Sequence, residues 1–247
     1  MRGALMLGGV TDTSAQVKGS EWTVRDAAAH VISYALLWSG ALSGEKSPVE
    51  DLGRLGRVNE RLLSRVTERT GRELADRLRH DYDEVLRLAE DVPDEARVAW
   101  HEGADLDVGA ALALALSEVL VHGYDIAAAV GAPWRITPHD AGLAVAGVTR
   151  LLHLAVDEEK AAGTRLVCGF RLRTMPEFAV VVDRGTAEVE CPPVSPLDCR
   201  VSGDPVSYLL VGYGRKPRWR AALRGRLRAG GRNPWLVARL SQVLRPL

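Results

Sequence analysis

The residues best placed for chemistry sit inside two apolar stretches. In ALALALSEVLVHGYDIAAAV, residues 111–130, Glu118 and His122 are four positions apart. On a helix such a pair stacks on one face, with Cβ atoms roughly 5–6 Å apart, close enough for a carboxylate and an imidazole to share one cation. Burying an unpaired charge is costly, and a bound metal removes that cost. Taken alone, the pair also fits an ordinary ion pair on a helix surface. His30 lies in AAAHVISYALL, residues 27–37. Alone it reads equally as a satisfied core histidine. Two histidines and one carboxylate from facing helices form a recurrent catalytic set for zinc and non-haem iron, with positions left open for water or substrate.

These three residues need helices to hold them. Thr23 is an N-cap for VRDAAAHVISYALLWSG, with Gly40 as the expected stop. Apolar positions 24, 27, 28, 31, 32, 35 and 38 recur at helical spacing. A second long helix is expected from Asn59 to Glu90, ending at the turn DVPDE. A third runs from Asp107 to Val130, where Gly131-Ala132-Pro133 ends it, and a fourth from Pro138-His139-Asp140 to Glu158. Four amphipathic helices of this length make a bundle.

The pattern changes at residues 158–164. Short alternating runs follow, RLVCGFRLRT, EFAVVVD and AEVEC, and then helical stretches at PVSYLLVGY and NPWLVARLSQVL. The expected organisation is a helical bundle over residues 1–160 and a small α+β domain over 161–247. Strands are expected only after residue 158.

Composition narrows the function classes. The 247 residues include 32 basic and 32 acidic side chains. The balance is uneven, because no acidic residue follows Asp204 while residues 215–247 carry nine Arg and one Lys. Those Arg are interleaved with Leu, Trp, Val and Gly, which reads as a folded segment, so no nucleic-acid partner is expected. No apolar run approaches the roughly 20 residues of a membrane helix, and no signal-peptide pattern opens the chain. Neither a membrane partner nor export is expected, and the cytoplasm is the expected location. Cys168, Cys191 and Cys199 lack CxxC spacing and read as thiols in a reducing compartment.

Two segments carry a family resemblance. Gly19-Ser20-Glu21-Trp22-Thr23-Val24-Arg25-Asp26-Ala27-Ala28-Ala29-His30 and Glu118-Val119-Leu120-Val121-His122-Gly123-Tyr124-Asp125-Ile126-Ala127 resemble the two signatures of the mycothiol-dependent maleylpyruvate isomerase and thiol transferase family, in the DinB-like metalloprotein superfamily. That family usually has a full helix ahead of its first signature. Here only 21 residues of poor helical pattern precede Trp22. Val201-Ser202-Gly203-Asp204-Pro205, Leu209-Leu210 and Gly214-Arg215 resemble the sterol-carrier-like domain such proteins often carry.

The resemblance implies a DinB-like four-helix bundle whose His30, Glu118 and His122 bind one divalent metal, zinc as first choice. It implies mycothiol, the low-molecular-weight thiol of actinobacteria, as co-substrate. The electrophile is a small molecule such as maleylpyruvate. In the isomerase branch the thiolate adds to an activated cis double bond, the adduct rotates, and elimination gives the trans isomer. In the transferase branch the thiol stays attached. Either needs a cation for a carboxylate or enolate, and Arg215 is the residue the resemblance favours. Arg25 and Arg135 are the nearest cations in sequence to the bundle site. Asp125, three residues after His122, is a candidate to hold an imidazole tautomer; a capping or surface role fits it equally. Trp22 and Trp38 are expected to pack the bundle, His153 to be a core or boundary residue, and His80, His101 and His139 to be surface or loop residues. Two other readings use the same residues: a hydrolase with metal-activated water, or a non-catalytic small-ligand-binding protein with a structural metal.

Overall fold

A computed structural model describes residues 2–49, 55–93, 96–101 and 104–244. Asp94 and Glu95, in the expected DVPDE turn, lie outside the described residues. The chain forms two compact units, Met1–Arg135 and Ile136–Leu247.

The first unit is built on three long helices. Helix α1 (Arg2–Gly8) leads in. Helix α2 (Val24–Leu42) starts at Thr23, whose hydroxyl accepts from the Asp26 amide while the Asp26 carboxylate accepts from the Thr23 amide at 3.0 Å. This reciprocal capping box satisfies two amides that have no intrahelical partner. Gly40 does not stop the helix, which runs on to Leu42 and is capped at Ser43. Helix α3 (Leu55–Leu63) and helix α4 (Gly71–Glu90) replace the single second helix expected over 59–90. A second capping box, Thr70 with Glu73, starts α4. In the break, the guanidinium of Arg25 donates to the Val66 carbonyl at 2.6 Å and the Glu68 carbonyl at 3.0 Å. Those carbonyls are satisfied by a remote side chain instead of by a continued helix.

A two-stranded ribbon, β1 (Arg97–Ala99) with β2 (Asp105–Asp107), corrects the expectation that strands begin only after residue 158. It feeds directly into α5 (Val108–Val130), because Asp107 ends β2 and caps the helix, accepting from the Ala110 amide at 2.7 Å. Gly131, at φ +67°, ends α5 in the left-handed conformation. Helix α2 packs between α4 and α5, and α1 lies on α4. Helix α5 reaches the length and mean apolarity of a membrane span only with Glu118 and Asp125 inside it. Of its most apolar window, 56% is buried inside the protein.

The second unit begins earlier than the 160/161 boundary expected from composition. Helix α6 (Pro138–Thr149) packs against α8 (Pro205–Gly212) and so groups with the sheet. It also stops short of Glu158. The Thr149 hydroxyl bonds back to the Ala146 carbonyl, and turns follow before α7 (Glu158–Ala161). The sheet has the order β5-β4-β3-β6-β7, with β3 (Arg165–Leu172), β4 (Phe178–Asp183), β5 (Thr186–Glu190), β6 (Cys199–Gly203) and β7 (Leu227–Gly230). Only the β3–β6 pairing is parallel. Helix α9 (Arg218–Leu223) precedes β7, and α10 (Leu236–Val243) packs against β3 and β6. The overall order is that expected from sequence: a helical region, then a sheet-containing domain.

Candidate metal centre

His30 projects from the second turn of α2, a position set by the Thr23 cap. Glu118 and His122 project from one face of α5, a turn apart. Packing of α2 on α5 brings the three together, with one ligand atom from each lying within 4.8 Å of the others. The Nε2 atoms of His30 and His122 each lie 3.3 Å from Glu118 Oε2. The two imidazole centroids are 4.8 Å apart at 72°. All three side chains are largely buried, with 6%, 16% and 11% of the His30, Glu118 and His122 side chains exposed.

These distances suit a metal as well as a proton. A charge-assisted N–H···O bond settles near about 2.7–2.9 Å. Two donors bound tetrahedrally at about 2.0–2.1 Å from one zinc stand roughly 3.3–3.4 Å apart. The two observed 3.3 Å spacings from Glu118 are of that length, and all three donor atoms lie within 4.8 Å of one another. The donor set therefore fits a divalent metal held by two Nε2 atoms and one carboxylate oxygen.

Electrostatics couple the cluster residues to one another. Burial opposes the charge on Glu118, but hydrogen bonds from His122 and His30 outweigh it and hold the carboxyl well below its usual range. Burial likewise opposes a charged His122, yet Asp125 and Glu118 outweigh it and raise its affinity for a proton. Asp125 is itself buried, with Oδ2 3.4 Å from His122 Nδ1. A carboxylate on Nδ1 fixes the ring and leaves Nε2 to face the shared oxygen.

The aromatic surroundings differ from the expectation. Trp38 packs the bundle as expected, with 1% exposed. Trp22 is half-buried over the imidazoles, with its ring centroid 4.8 Å from His30 and 5.9 Å from His122. Tyr34 also contacts His30, at 4.6 Å between centroids. His101, expected at the surface or in a loop, lies between β1 and β2 but is buried at 3% exposure, whereas His153, expected in the core or at its boundary, is exposed. His80 and His139 are exposed as expected. Arg25 is committed to the Val66 and Glu68 carbonyls, and Arg135 is exposed. Arg215 lies in the second unit, exposed, with Nη1 donating to the Tyr213 carbonyl at 2.7 Å. Gly123 lets the Trp134 indole close against α5, where a Cβ would stand 2.3 Å from the ring; the Trp134 N–H donates to the Leu120 carbonyl.

Comparison with known proteins bears on this arrangement. Residues 3–127, which contain His30, Glu118 and His122, match the family described as the mycothiol maleylpyruvate isomerase N-terminal domain. Among solved structures, a mycothiol-dependent maleylpyruvate isomerase aligns with a TM-score of 0.53 and 14% identity, over 93% of this chain and 88% of that one. A histidine-to-alanine variant of an enzyme of the same description aligns equally well. A stereoselective inverting sec-alkylsulfatase from Pseudomonas sp. aligns with a TM-score of 0.37 and 16% identity, over 68% of this chain, which spans only 28% of the sulfatase. Comparison with curated protein sequences finds no significant match. The family match covers just over half of the chain and both helices that carry the cluster, so the chain belongs to the mycothiol maleylpyruvate isomerase N-terminal domain family.

Proposed function

We propose that the protein is a metal-dependent enzyme that uses a low-molecular-weight thiol, mycothiol by its family, to isomerise or capture a small electrophile such as maleylpyruvate. The observation that carries this reading is the pair of 3.3 Å spacings from one Glu118 oxygen to two imidazole nitrogens, in a buried cluster on the helices matched by the family. A zinc ion held there would supply Lewis acidity and keep a coordinating thiol as thiolate near neutral pH.

The chain's own residues do the rest. Asp125 accepts from His122 Nδ1–H and so presents the Nε2 lone pair toward the cluster. Glu118 supplies one negative charge, which leaves part of a divalent charge to be balanced by an incoming thiolate. Trp22 and Tyr34 lie against the His30 ring, which is buried from water. Thiol addition to an activated cis double bond forms a C–S bond and moves the π electrons onto the neighbouring carbonyl. Rotation and elimination then return the thiol and the trans product, so nothing is consumed. The developing enolate and the substrate carboxylate need a cation, and we assign that role to Arg215. Arg215→Ala should retain its metal and fold yet lose more than about tenfold in turnover, equivalent to roughly 1.4 kcal/mol of transition-state stabilisation. Unchanged turnover removes Arg215 from the mechanism.

Turnover of maleylpyruvate by the metal-loaded protein, with and without mycothiol, tests the activity itself. Strict thiol dependence is expected. Activity without thiol would instead mean metal-activated water and a hydrolase.

A further inference from the structure

Between α8 and β7 the second unit carries a short basic excursion. Residues 215–228 hold six Arg, one Lys and no acidic residue. Pro217 precedes α9, and Gly225, at φ +63°, turns the chain back after it. The Gly225 amide donates to the Ala222 carbonyl at 2.9 Å, and the Arg226 amide donates to the Ala221 carbonyl at 2.9 Å. This pair of bonds around a left-handed glycine is a Schellman stop, which closes the helix without any side chain. Backbone bonds therefore hold α9 in place, and its side chains are left to the surface.

On a helix of 3.6 residues per turn, Trp219 and Leu223 share one face, and both stand roughly 160° from Ala221. Ala221 is the buried residue of α9, so this face points straight out. Trp219 is 59% exposed and Leu223 79%. One exposed apolar side chain is ordinary; an indole and an isobutyl group side by side, opposite the buried side, form an apolar ridge. Arg220 and Arg224 run along one flank, with the Arg220 guanidinium 5.1 Å from the Trp219 ring centroid, and Arg218 lies on the other. All three are exposed, and none makes an ion pair among the described residues. Neither α8 nor β7, on which α9 packs, has an acidic residue to neutralise them. Arg245, Pro246 and Leu247, the residues of this unit outside the described ones, add no acidic side chain. The cavity that follows α9, about 390 Å³, continues the positive surface with Arg173, Arg226 and Arg228. Asp204 also lines it, with its carboxylate taken up by Ser207 and Arg173.

An apolar ridge between guanidinium groups suits the boundary of a bilayer, where apolar tips enter the acyl region while the cations stay at the phosphates. Indole rings favour that layer. Nucleic acid is the poorer match, because stacking needs a flat ring for each of several bases. This ridge offers one indole, beside its own Arg220, and the aliphatic Leu223. The expectation of no membrane partner rests on the lack of a spanning run, and a peripheral contact needs none. We propose that the α9 ridge docks the protein on the surface of an anionic lipid bilayer, with Trp219 and Leu223 inserted among the headgroups and Arg218, Arg220 and Arg224 against lipid phosphates. This docking does not depend on the reading of the metal centre.

Co-sedimentation of the full-length protein with lipid vesicles is the test. Vesicles of phosphatidylcholine with about 30% phosphatidylglycerol should bind it at least tenfold more tightly than phosphatidylcholine alone, since each cation near an anionic surface adds to the attraction. Trp219→Ser with Leu223→Ser, and separately Arg220→Gln with Arg224→Gln, change only exposed side chains. Each pair should weaken binding to the anionic vesicles at least tenfold while the circular dichroism stays that of the native protein. The docking is overturned by no binding to anionic vesicles, by equal binding to neutral ones, or by indifference to either pair of substitutions. It is overturned too if Trp219→Ser with Leu223→Ser turns a dimer into a monomer by light scattering, which would make the ridge an interface between copies of this chain. Tighter binding of a single-stranded oligonucleotide than of vesicles, through the same residues, would overturn it in favour of nucleic acid.

Discussion

At the scale of residues, the account turns on three donors and one orienting carboxylate. Glu118→Gln keeps the shape of the site but removes the charge and one strong ligand oxygen. Metal content after dialysis should fall from about one equivalent to near zero, because loss of one ligand of three removes most of the affinity. Asp125→Asn should be milder: loss of an outer carboxylate costs about 10–100-fold in metal affinity, measured by competition with a chromophoric chelator. A near-complete loss there would make Asp125 a ligand itself. The pH dependence follows from His122. Its pKa in the metal-free fold is raised from 6.5 to about 9. A raised value means that protonated His122 stabilises the metal-free protein fully below about 6.5, and that this contribution fades as pH climbs toward 9. The metal requires the neutral ring. The melting-temperature gain on adding metal should therefore widen as pH rises from 6 to 8.5, and a gain that is flat or narrows would contradict the assignment of His122. The three residues that the fold brings together were legible in sequence, since i,i+4 spacing and an apolar context are local signals. His101 was not, because its burial depends on Trp38 from a distant helix and on a ribbon too short to announce itself.

At the scale of elements, the site is only as well placed as α2 and α5. Thr23 caps α2 seven residues before His30 and forms both bonds of a capping box with Asp26. Thr23→Ala should destabilise the first unit by about 1 kcal/mol, read from chemical denaturation of metal-free protein, and should weaken metal binding along with it. Gly123→Ala places a methyl 2.3 Å from the Trp134 ring. Overpacking of this kind costs about 1–3 kcal/mol, and it falls beside His122, so metal affinity should drop with stability. A variant of wild-type stability would mean that Trp134 moves freely. The caps at Thr23 and Asp107 and the Gly131 stop were readable from residue type alone. The break between α3 and α4 was not. It depends on Arg25, 41 and 43 positions away from the carbonyls it satisfies, and local periodicity carries no trace of such a bond.

At the scale of the whole molecule, the order of a helical region followed by a sheet-containing domain was legible, because the hydrophobic period changes from helical to alternating. The division at Arg135 was hidden, since α6 has the same amphipathic pattern as the helices before it and only its packing on α8 assigns it to the second unit. Strands β6 and β7, CRVSG and LRAG, are short and polar and owe their conformation to pairing with each other and with β3. Family membership rests on the first unit, and so does the central claim that His30, Glu118 and His122 hold one divalent metal that a thiol can reach. The most direct test is elemental analysis joined to a thiol titration, on the full-length protein and on His122→Ala. The account predicts about one equivalent of metal in the native protein, a spectroscopic change on adding mycothiol after cobalt substitution, and neither in a His122→Ala variant that keeps its helical circular dichroism. Native protein without metal after preparation in its presence, or a His122→Ala variant that binds metal and thiol as the native protein does, would contradict it.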